Sequence, residues 1–312
     1  MAEVIVKRLL IAILVVFGAL TTVFVLANGV GDPAAATLGP RAGREQLEAF
    51  RRTHGLDEPL LVRYGTYVAN LARGDLGTSF RDNQPVARVV LTRLPRTVLL
   101  GTMAMFFELL FGLGLGTLAA LRRNSAFDTG FMAIAFLGIS APSFLTGLIF
   151  LYVFSFRLGW FPIGGYGTDL LDHVYHGLLP AFTLAILGAA TYARLMRSEM
   201  IETMRADFVR TARAKGLREW RVVLRHGVRN AMLPIVTLMG LSLPLVVSGA
   251  LITETIYSWP GMGRLAIESI YSLDVPMILG VMLFASISVQ AGNLLSDIAV
   301  ASLDPRVRMG KR

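Results

Sequence analysis

Six long apolar runs dominate this sequence, at residues 9–28, 98–121, 129–156, 178–195, 231–253 and 276–300. Each is about 18 residues or longer, which is enough for a helix to cross a bilayer at a rise of about 1.5 Å per residue. The chain is 54% hydrophobic and only 16% charged, and is therefore too apolar for a soluble domain of its length. The sequence predicts an all-α membrane protein with about six transmembrane helices.

The first apolar run follows Lys7 and Arg8, as the apolar part of a signal peptide would. It is long for a signal peptide, and no convincing small-residue cleavage site stands near Asn28. We therefore expect an uncleaved transmembrane helix over residues 1–28.

Several kinds of chemistry lack the residues that they need. The chain has no cysteine and four histidines. His173 and His176 are spaced to share a helix face, but two imidazoles without a nearby carboxylate are typical of ordinary surface residues. The lysines are Lys7, Lys215 and Lys311, and none stands in the Gly-Lys-Ser/Thr context of an ATP-binding phosphate loop. We predict no catalytic residue, no metal site and no cofactor in this chain.

The placement of the basic residues explains the net charge of +9. With the N-terminus inside, the short outside loops hold only Arg157 and Arg264, whereas ten basic residues lie between 194 and 229. The segment 29–96 would lie outside despite its ten arginines, but long translocated loops escape the positive-inside rule. The distribution of basic residues therefore predicts a topology in the lipid bilayer with both termini in the cytoplasm. Because topology accounts for the positive charge, we expect no nucleic-acid partner.

The long segment 29–96 has the apolar spacing of short amphipathic helices at 45–54 and 59–72. Such helices could guide substrate at the outer face, or could form a structural cap that braces the first two membrane helices. The sequence leaves both interpretations open.

The basic loop between the fourth and fifth apolar runs predicts two short helices. Asp207 could cap the first, and Gly216 suits the left-handed residue that ends it. The apolar residues of the first helix are Phe208, Val209 and Ala212, and its basic residues are Arg210, Arg213 and Lys215. The apolar residues of the second are Trp220, Val223, Leu224 and Val228. This loop could fill a groove on a partner protein or lie on anionic headgroups.

Three acidic residues fall inside apolar runs, where an ionisable group normally faces a cavity or a partner. Glu108 lies deepest and could border a water-filled pathway or a cationic part of a substrate, or could make an interhelical contact. Glu254 stands where the fifth run ends and could border an outer gate. Asp297 stands near the inner end of the last run, where it would contact basic residues.

Small residues and prolines indicate how the helices pack. Gly112, Gly114 and Gly116 predict a face of close helix approach on the second span. Prolines are expected to interrupt the third span at Pro142 and the fifth at Pro234 and Pro244.

A family resemblance rests on an ordered set of motifs that covers the chain nearly end to end. DFVRTARAKGL at 207–217 and RHGVRNAMLPIVTLMG at 225–240 resemble the EAA loop of binding-protein-dependent ABC transporter permeases. More narrowly, the chain resembles the dipeptide, oligopeptide and nickel family in GLDEPLLVRYGTYV, RGDLGTS, RLPRT, LGWFPIGGY, ETIYSWPGMGRLA, NLLSD and LDPRVR.

The resemblance implies the transmembrane domain of a type I ABC importer in a bacterial inner membrane, with an extracytoplasmic insertion between its first two spans. It implies the domains 1–28, 29–96, a five-helix core at 97–300 and a tail at 301–312. The partners it implies are a second permease, two ABC ATPase subunits or domains that bind ATP and Mg²⁺, and an extracytoplasmic substrate-binding protein.

The same resemblance implies that residues 196–230, here called the coupling loop, seat a helix in a cleft of the ATPase. The contact residues would be Asp207, Phe208, Val209, Arg210, Thr211, Ala212, Arg213, Ala214, Lys215, Gly216 and Leu217. The general motif's leading Glu-Ala is replaced by Arg210 and Thr211, so we expect apolar packing and basic residues that reach acidic partners. The family's pathway-lining fifth span adds the candidates Leu238, Ser242, Val246 and Ser248.

We therefore expect a permease subunit that forms half of an ATP-driven pathway for di- and oligopeptides. Nickel chelates, glutathione or another small solute are alternative cargoes of the same architecture. A gradient-driven secondary transporter is an alternative from a different class, although the chain has no clear internal repeat.

Overall fold

The computed structural model describes residues 2–248 and 250–303, and this part of the chain is helical. Gly249 and most of the expected tail, residues 304–312, lie outside the described residues. The helices are α1 (Ala2–Gly29), α2 (Pro33–Leu38), α3 (Arg44–Thr53), α4 (Leu60–Ala72), α5 (Val86–Leu121), α6 (Ala126–Ser140), α7 (Ser143–Phe150), α8 (Leu170–Thr203), α9 (Asp207–Ala214), α10 (Glu219–Arg221), α11 (Arg229–Ser248), α12 (Leu251–Ile256), α13 (Met262–Tyr271) and α14 (Val275–Leu303). Segments of π-helix, Leu151–Arg157 and Val222–Val228, continue α7 and α10.

Four helices in the described part of the chain are long and apolar enough to cross a membrane. They are Leu10–Gly29, Val86–Leu121, Leu170–Thr203 and Val275–Ser296. These are the first, second, fourth and sixth of the predicted spans. The number is five if the bent pair formed by α6 and α7 is counted as one span. The sequence predicted about six spans. The fifth predicted run forms α11 and α12, and several of its side chains lie outside what the structure describes.

The third predicted span is two helices rather than one. α6 and α7 meet at an angle of 104°, which confirms the expected interruption of the third span at Pro142. The break follows from Pro142, which has no amide hydrogen and disfavours helical geometry at the preceding residue. Ala141 accordingly adopts an extended conformation, with φ −75° and ψ 129°.

The expected interruption of the fifth span at Pro234, by contrast, is wrong, because α11 continues through this residue. A proline inside a helix removes one hydrogen bond but need not end the helix where packing holds both halves in line. Ala231 and Ile235 flank it and are fully buried against Tyr192, Met196 and Met200. α11 also passes through Pro244.

The contacts divide the chain into two compact units. One unit contains residues 1–97, 247–251 and 260–290, and the other contains 98–246, 252–259 and 291–312. Residues 260–290, which belong to the predicted core at 97–300, thus group with the N-terminal residues. The reason is that α13 and α14 pack on the start of α5, where Val86 and Val90 join Met262 and Met277 in one buried cluster.

Within the first unit, the segment 29–96 is tied closely to α1 and α14. Helices α3 and α4 form where the apolar spacing predicted them. Tyr64 of α4 shares a hydrogen bond of 2.6 Å with the Thr21 hydroxyl on α1. The buried Asp274 carboxylate, just before α14, accepts hydrogen bonds from the Ser79 hydroxyl at 2.5 Å and the Phe80 amide at 3.1 Å.

An ion pair joins α3 to the start of α2. The Arg51 Nη2 lies 2.6 Å from the Asp32 Oδ2. The hydrogen bond from Arg51 holds the pKa of the Asp32 carboxyl below its ordinary value, and the Ala34 amide acts in the same direction. Asp32 also caps α2, so one carboxylate orients two short helices.

Within the second unit, glycines let α5 approach α8. A Cβ at Gly112 would lie 2.6 Å from the Tyr192 Cβ, and one at Gly116 would lie 2.9 Å from the Met196 Cβ and would collide with the Ala193 carbonyl. A Cβ at Gly114 would meet nothing within 4 Å. The predicted small-residue face is thus formed by Gly112 and Gly116, because positions four apart share one helix face.

We expect Gly116→Ala to lower the stability of the second unit by about 1–3 kcal/mol, because the added methyl group has no room against α8. Gly114→Ala is the matched control and should be neutral or slightly stabilising, since alanine favours helix more than glycine does. The measurement is the melting temperature of the detergent-solubilised transporter. Equal melting temperatures for the two variants would contradict the close approach.

Candidate functional site

Within the coupling loop, the short helix α9 ends in a glycine turn. Asp207 is the first residue of α9, and its side chain makes no capping hydrogen bond, so the expected cap is wrong. Gly216 has φ +75°, as the sequence predicted. The Gly216 amide donates to the Arg213 carbonyl at 2.9 Å, and the Leu217 amide donates to the Ala212 carbonyl at 3.4 Å. This pairing is a Schellman motif, which satisfies carbonyls at the end of α9.

The turn folds α9 back against the next segment. Val209 and Ala212 are 0% and 5% exposed and pack on Val222. The expectation that these two residues form an apolar face for a partner is therefore wrong, because their surface is already covered within the chain. Val209 and Ala212 do share one face of α9, as their spacing predicted, but that face packs against Val222 of the same chain.

An ion pair holds the same fold from the polar side. Arg213 donates to the Glu219 carboxylate from Nε at 3.1 Å and from Nη2 at 2.7 Å. This pairing lowers the pKa of Glu219 and raises the pKa of Arg213. Arg213 was expected to reach an acidic partner, and its guanidinium instead contacts Glu219 in the chain itself. Arg210 and Lys215 stay exposed.

The exposed apolar residues of the coupling loop form a different set from the predicted one. They are Phe208 at 45%, Leu217 at 37%, Trp220 at 56% and Leu224 at 57% exposed. We call these four residues the loop patch. Val223 was expected beside Trp220 and Leu224, but it is buried against α8 and α11. The π-helix at Val222–Val228 shifts side-chain directions away from ordinary helical spacing, which the sequence pattern assumed.

The remaining residues of the expected contact set flank this surface. Thr211 and Ala214 are exposed on α9, and the Thr211 hydroxyl donates to the Asp207 carbonyl at 3.0 Å. Arg210 lies 3.7 Å from the Asp207 carboxylate, and both side chains are mostly exposed. An exposed pair of this kind contributes little to stability, so both side chains can exchange partners at low cost.

A buried ion pair near the coupling loop was missed in the sequence. The Arg197 guanidinium on α8 donates to both Asp128 oxygens at 2.6 and 2.7 Å. The Asp128 side chain is only 4% exposed, and it also accepts from the Asn124 amide at 2.9 Å. Ser125 caps α6 by accepting from the Asp128 amide. The Ser-x-x-Asp spacing at 125–128 was the available signal, because it is typical of helix starts.

Of the acidic residues in apolar runs, Glu108 is the one whose surroundings are clearest. Its carboxylate lies against Gly188 of α8, where any Cβ would collide with it. The structure thus places Glu108 at a contact between two helices. It makes no hydrogen bond or ion pair with the residues that the structure describes. Asp297, by contrast, has its side chain outside the described residues.

Glu254 is fully buried, with 0% exposure. It was expected to border an outer gate, but it lies in the interior of the second unit. Around it, two motifs meet that are distant in sequence: the Gly165 amide donates to the Tyr257 carbonyl at 3.0 Å, and the Tyr166 ring packs edge-on against Trp259 at 4.9 Å.

The candidates from the fifth span face different surroundings. Ser242 accepts a hydrogen bond from the Tyr192 hydroxyl at 3.2 Å, and Val246 packs on Gly101 of α5. Leu238 lines an open pocket beside Arg194 and Ser198 of α8. The Ser248 side chain lies outside the described residues. Among the four, the structure gives Leu238 access to open space, whereas Ser242 and Val246 contact neighbouring helices.

We expect Asp128→Asn to lower stability by about 1–3 kcal/mol, because it removes the charge that accepts both Arg197 hydrogen bonds in a buried site. Asp207→Asn changes an exposed acid in the same region and should leave stability unchanged. Thermal unfolding of the purified transporter measures both. If the two variants unfold at the same temperature, the Asp128–Arg197 ion pair does not stabilise the fold.

Comparison with known proteins agrees with this architecture along the whole chain. Residues 112–309 match the family described as "Binding-protein-dependent transport system inner membrane component". Residues 1–101 match "Binding-prot-dependent transport system membrane comp, N-term". The chain is thus covered by the two parts of one kind of membrane protein.

Full-length relatives carry the same assignment. The oligopeptide transport system permease protein AppB of Bacillus subtilis is 37% identical over 98% of this chain and 99% of its own length. The glutathione transport system permease protein GsiC of Escherichia coli K12 is 38% identical over 99% of both. The chain therefore belongs to the family of binding-protein-dependent transport system inner membrane components, the permease subunits of ABC importers.

Proposed function

We propose that this chain forms half of the pathway through which an ATP-driven importer carries di- and oligopeptides across a bacterial inner membrane. The observation that carries the proposal is similarity over nearly the full length to a permease named for oligopeptide transport. The similarly complete match to a permease named for glutathione favours glutathione, itself a short peptide, as the second candidate cargo.

The assembly that we propose contains a second permease of similar fold, two ATPase subunits or domains and an extracytoplasmic substrate-binding protein. ATP and Mg²⁺ would bind on the ATPase subunits, since this chain has no Gly-Lys-Ser/Thr phosphate loop. The distribution of lysine and arginine supports cytoplasmic termini and a cytoplasmic coupling loop. Segment 29–96 would then lie on the outer side.

The coupling loop is the proposed contact with the ATPase. Its exposed apolar area is the loop patch, and the basic residues around it include Arg210, Lys215 and Arg221. The Arg221 guanidinium lies 5.2 Å from the centre of the Trp220 ring. Aromatic and arginine side chains supply much of the binding energy at protein interfaces. This surface therefore suits an apolar cleft on the ATPase with acidic residues at its edge.

The fold of the loop supports a transmission role. Buried Val209 and Ala212, the Gly216 turn and the Arg213–Glu219 pair make α9 and α10 one packed element. The Gly227 backbone also lies close to Met200 of α8 and to Met204, the residue that follows α8. Movement of the ATPase would therefore displace α8 and α11 with the loop, and alternating access would follow from that displacement.

We expect Trp220→Ala to reduce ATP-driven uptake by at least about tenfold, because a central aromatic contact typically contributes 2 kcal/mol or more at an interface. Trp160→Ala is the matched control: Trp160 is 60% exposed against 56% for Trp220, and it lies far from the coupling loop in sequence. Uptake into proteoliposomes and recovery of the ATPase with the permease are the measurements. Equal loss in both variants would contradict a specific contact.

Engineered crosslinks provide an independent test of the same surface. Cysteines at the exposed Phe208 or Thr211 should capture the ATPase, whereas a cysteine at the buried Ala212 should not. If uptake continued with a hydrolysis-deficient ATPase, energy coupling through this surface would be disproved.

Glu108 is the proposed polar contact of the pathway. Glu108→Gln keeps the shape of the side chain but removes its charge, so we expect peptide uptake to fall about tenfold if the carboxylate faces a cationic group during transport. Glu202→Gln, at the exposed end of α8, is the control. Unchanged uptake at unchanged expression would remove Glu108 from the pathway.

A further inference from the structure

A cavity of about 270 Å³ lies within the first unit, at the end of α1 and the start of α14. It is partly open to solvent, and it is lined by the end of α1, residues 54–58, helix α4, residues 75–80 and the start of α14. Ligand pockets typically measure about 300–1,000 Å³. This cavity lies just below the small end of that range, so it suits a small solute such as an amino acid or a short peptide rather than a long chain.

Tyr67 of α4 also lines the cavity. Its hydroxyl is buried and has no hydrogen-bond partner among the residues that the structure describes. The ring stacks on Phe24 of α1 at 5.5 Å, which holds the side chain in place. Buried hydroxyl groups in proteins are almost always hydrogen-bonded, and a phenylalanine would fill the same apolar site without that cost.

Arg63, one helical turn before Tyr67, also lines the cavity. Its guanidinium donates to the Asn28 side-chain oxygen, and no carboxylate in the described part of the chain pairs with it. Burial lowers the pKa of Arg63 below its ordinary value, against a smaller opposite effect of Glu58. A partly buried cation with no carboxylate at salt-bridge distance among the described residues is a favourable place for an anion.

The two side chains belong together because residues four apart share a helix face. A guanidinium and a neutral phenol then offer donors to one acceptor group. The Tyr67 phenol stays protonated at neutral pH, since burial raises its pKa to about 12. A planar carboxylate fits this donor set, because its two oxygens can accept from both groups.

The rest of the cavity has the complementary chemistry. Phe24 and Leu279 provide apolar wall, and Glu58 and Asp75 add negative charge to the lining. A molecule with a carboxylate at one end, an ammonium group at the other and an apolar part between them would match the donors, the carboxylates and the apolar wall of this cavity. Free amino acids and short peptides have this arrangement.

We propose that this cavity binds the carboxylate end of a short peptide between Arg63 and Tyr67. Its role in transport rests on the proposed function: the site would hold cargo on the outer side before it enters the pathway. Binding itself does not depend on ATP hydrolysis or on the receptor.

The test measures binding of a radiolabelled dipeptide, alanyl-phenylalanine, to the assembled transporter in nanodiscs of zwitterionic lipid, without receptor or nucleotide. We expect saturable binding that falls roughly tenfold to a hundredfold in Tyr67→Phe, the range for a hydrogen bond to a charged group. Arg63→Gln should weaken binding further. The C-terminal amide of the same dipeptide should fail to compete.

Tyr64→Phe is the matched control on the same helix. The Tyr64 hydroxyl bonds to Thr21, so its loss should lower the melting temperature and leave dipeptide binding unchanged. Tyr67→Phe should do the opposite, because the hydroxyl it removes has no partner in the protein. Loss of binding in both variants would indicate a damaged fold and would overturn the assignment.

Other outcomes also decide against the site. Absence of saturable binding, or equal binding of the dipeptide and its amide, would overturn the proposal. Displacement of the dipeptide by phosphatidylglycerol at its membrane concentration would identify a lipid headgroup as the occupant instead. Receptor- and ATP-dependent uptake that survives in Tyr67→Phe would leave the transport function intact while removing this site's role in it.

Discussion

Lipid leaves a polypeptide no water with which to satisfy its backbone, so every amide and carbonyl at that depth must bond within the chain. This constraint explains why the described residues are helical and why irregular backbone is confined to particular places. Pro142 is the clearest of these places, since the helix ends before it and a second begins after it at 104°. Pro234 is chemically equivalent, yet α11 continues through it. The difference lies in packing, because Ala231 and Ile235 are held against α8 on both sides of the proline.

Helix association in an apolar solvent needs close contact, and the second unit obtains it from small residues. Because Gly112 and Gly116 have no side chain, α8 can lie close to α5 there. Gly188 of α8 likewise leaves space for the Glu108 carboxylate of α5. Near the coupling loop, the Asp128–Arg197 pair adds a charged contact that is nearly buried. The long helix α8 therefore contacts a glycine face, a carboxylate and an ion pair along its length, and it lies next to the element proposed to receive the force of ATP hydrolysis.

The coupling loop illustrates how a correct pattern can lead to a wrong surface. Val209 and Ala212 do share an apolar face with a short helix, as their spacing indicates, and Gly216 does take the left-handed conformation. That face is used inside the chain, however, where Val222 covers it. The surface left for a partner consists of Phe208, Leu217, Trp220 and Leu224. A periodicity identifies residues that avoid water, but it does not say whether a neighbouring segment or another protein covers them.

The sequence by itself determined the all-helical membrane fold, most of the spans, the family and the two short helices in segment 29–96. It could do so because hydrocarbon thickness, helical period and glycine conformation act on residues that are close together in the chain. Only the tertiary structure decided which segments and side chains meet. It groups α13 and the start of α14 with the N-terminal residues, and it brings Asp128 to Arg197, 69 positions away in the sequence. It also leaves the buried Tyr67 hydroxyl without a hydrogen-bond partner among the described residues. These outcomes depend on contacts between distant segments, which no local pattern records.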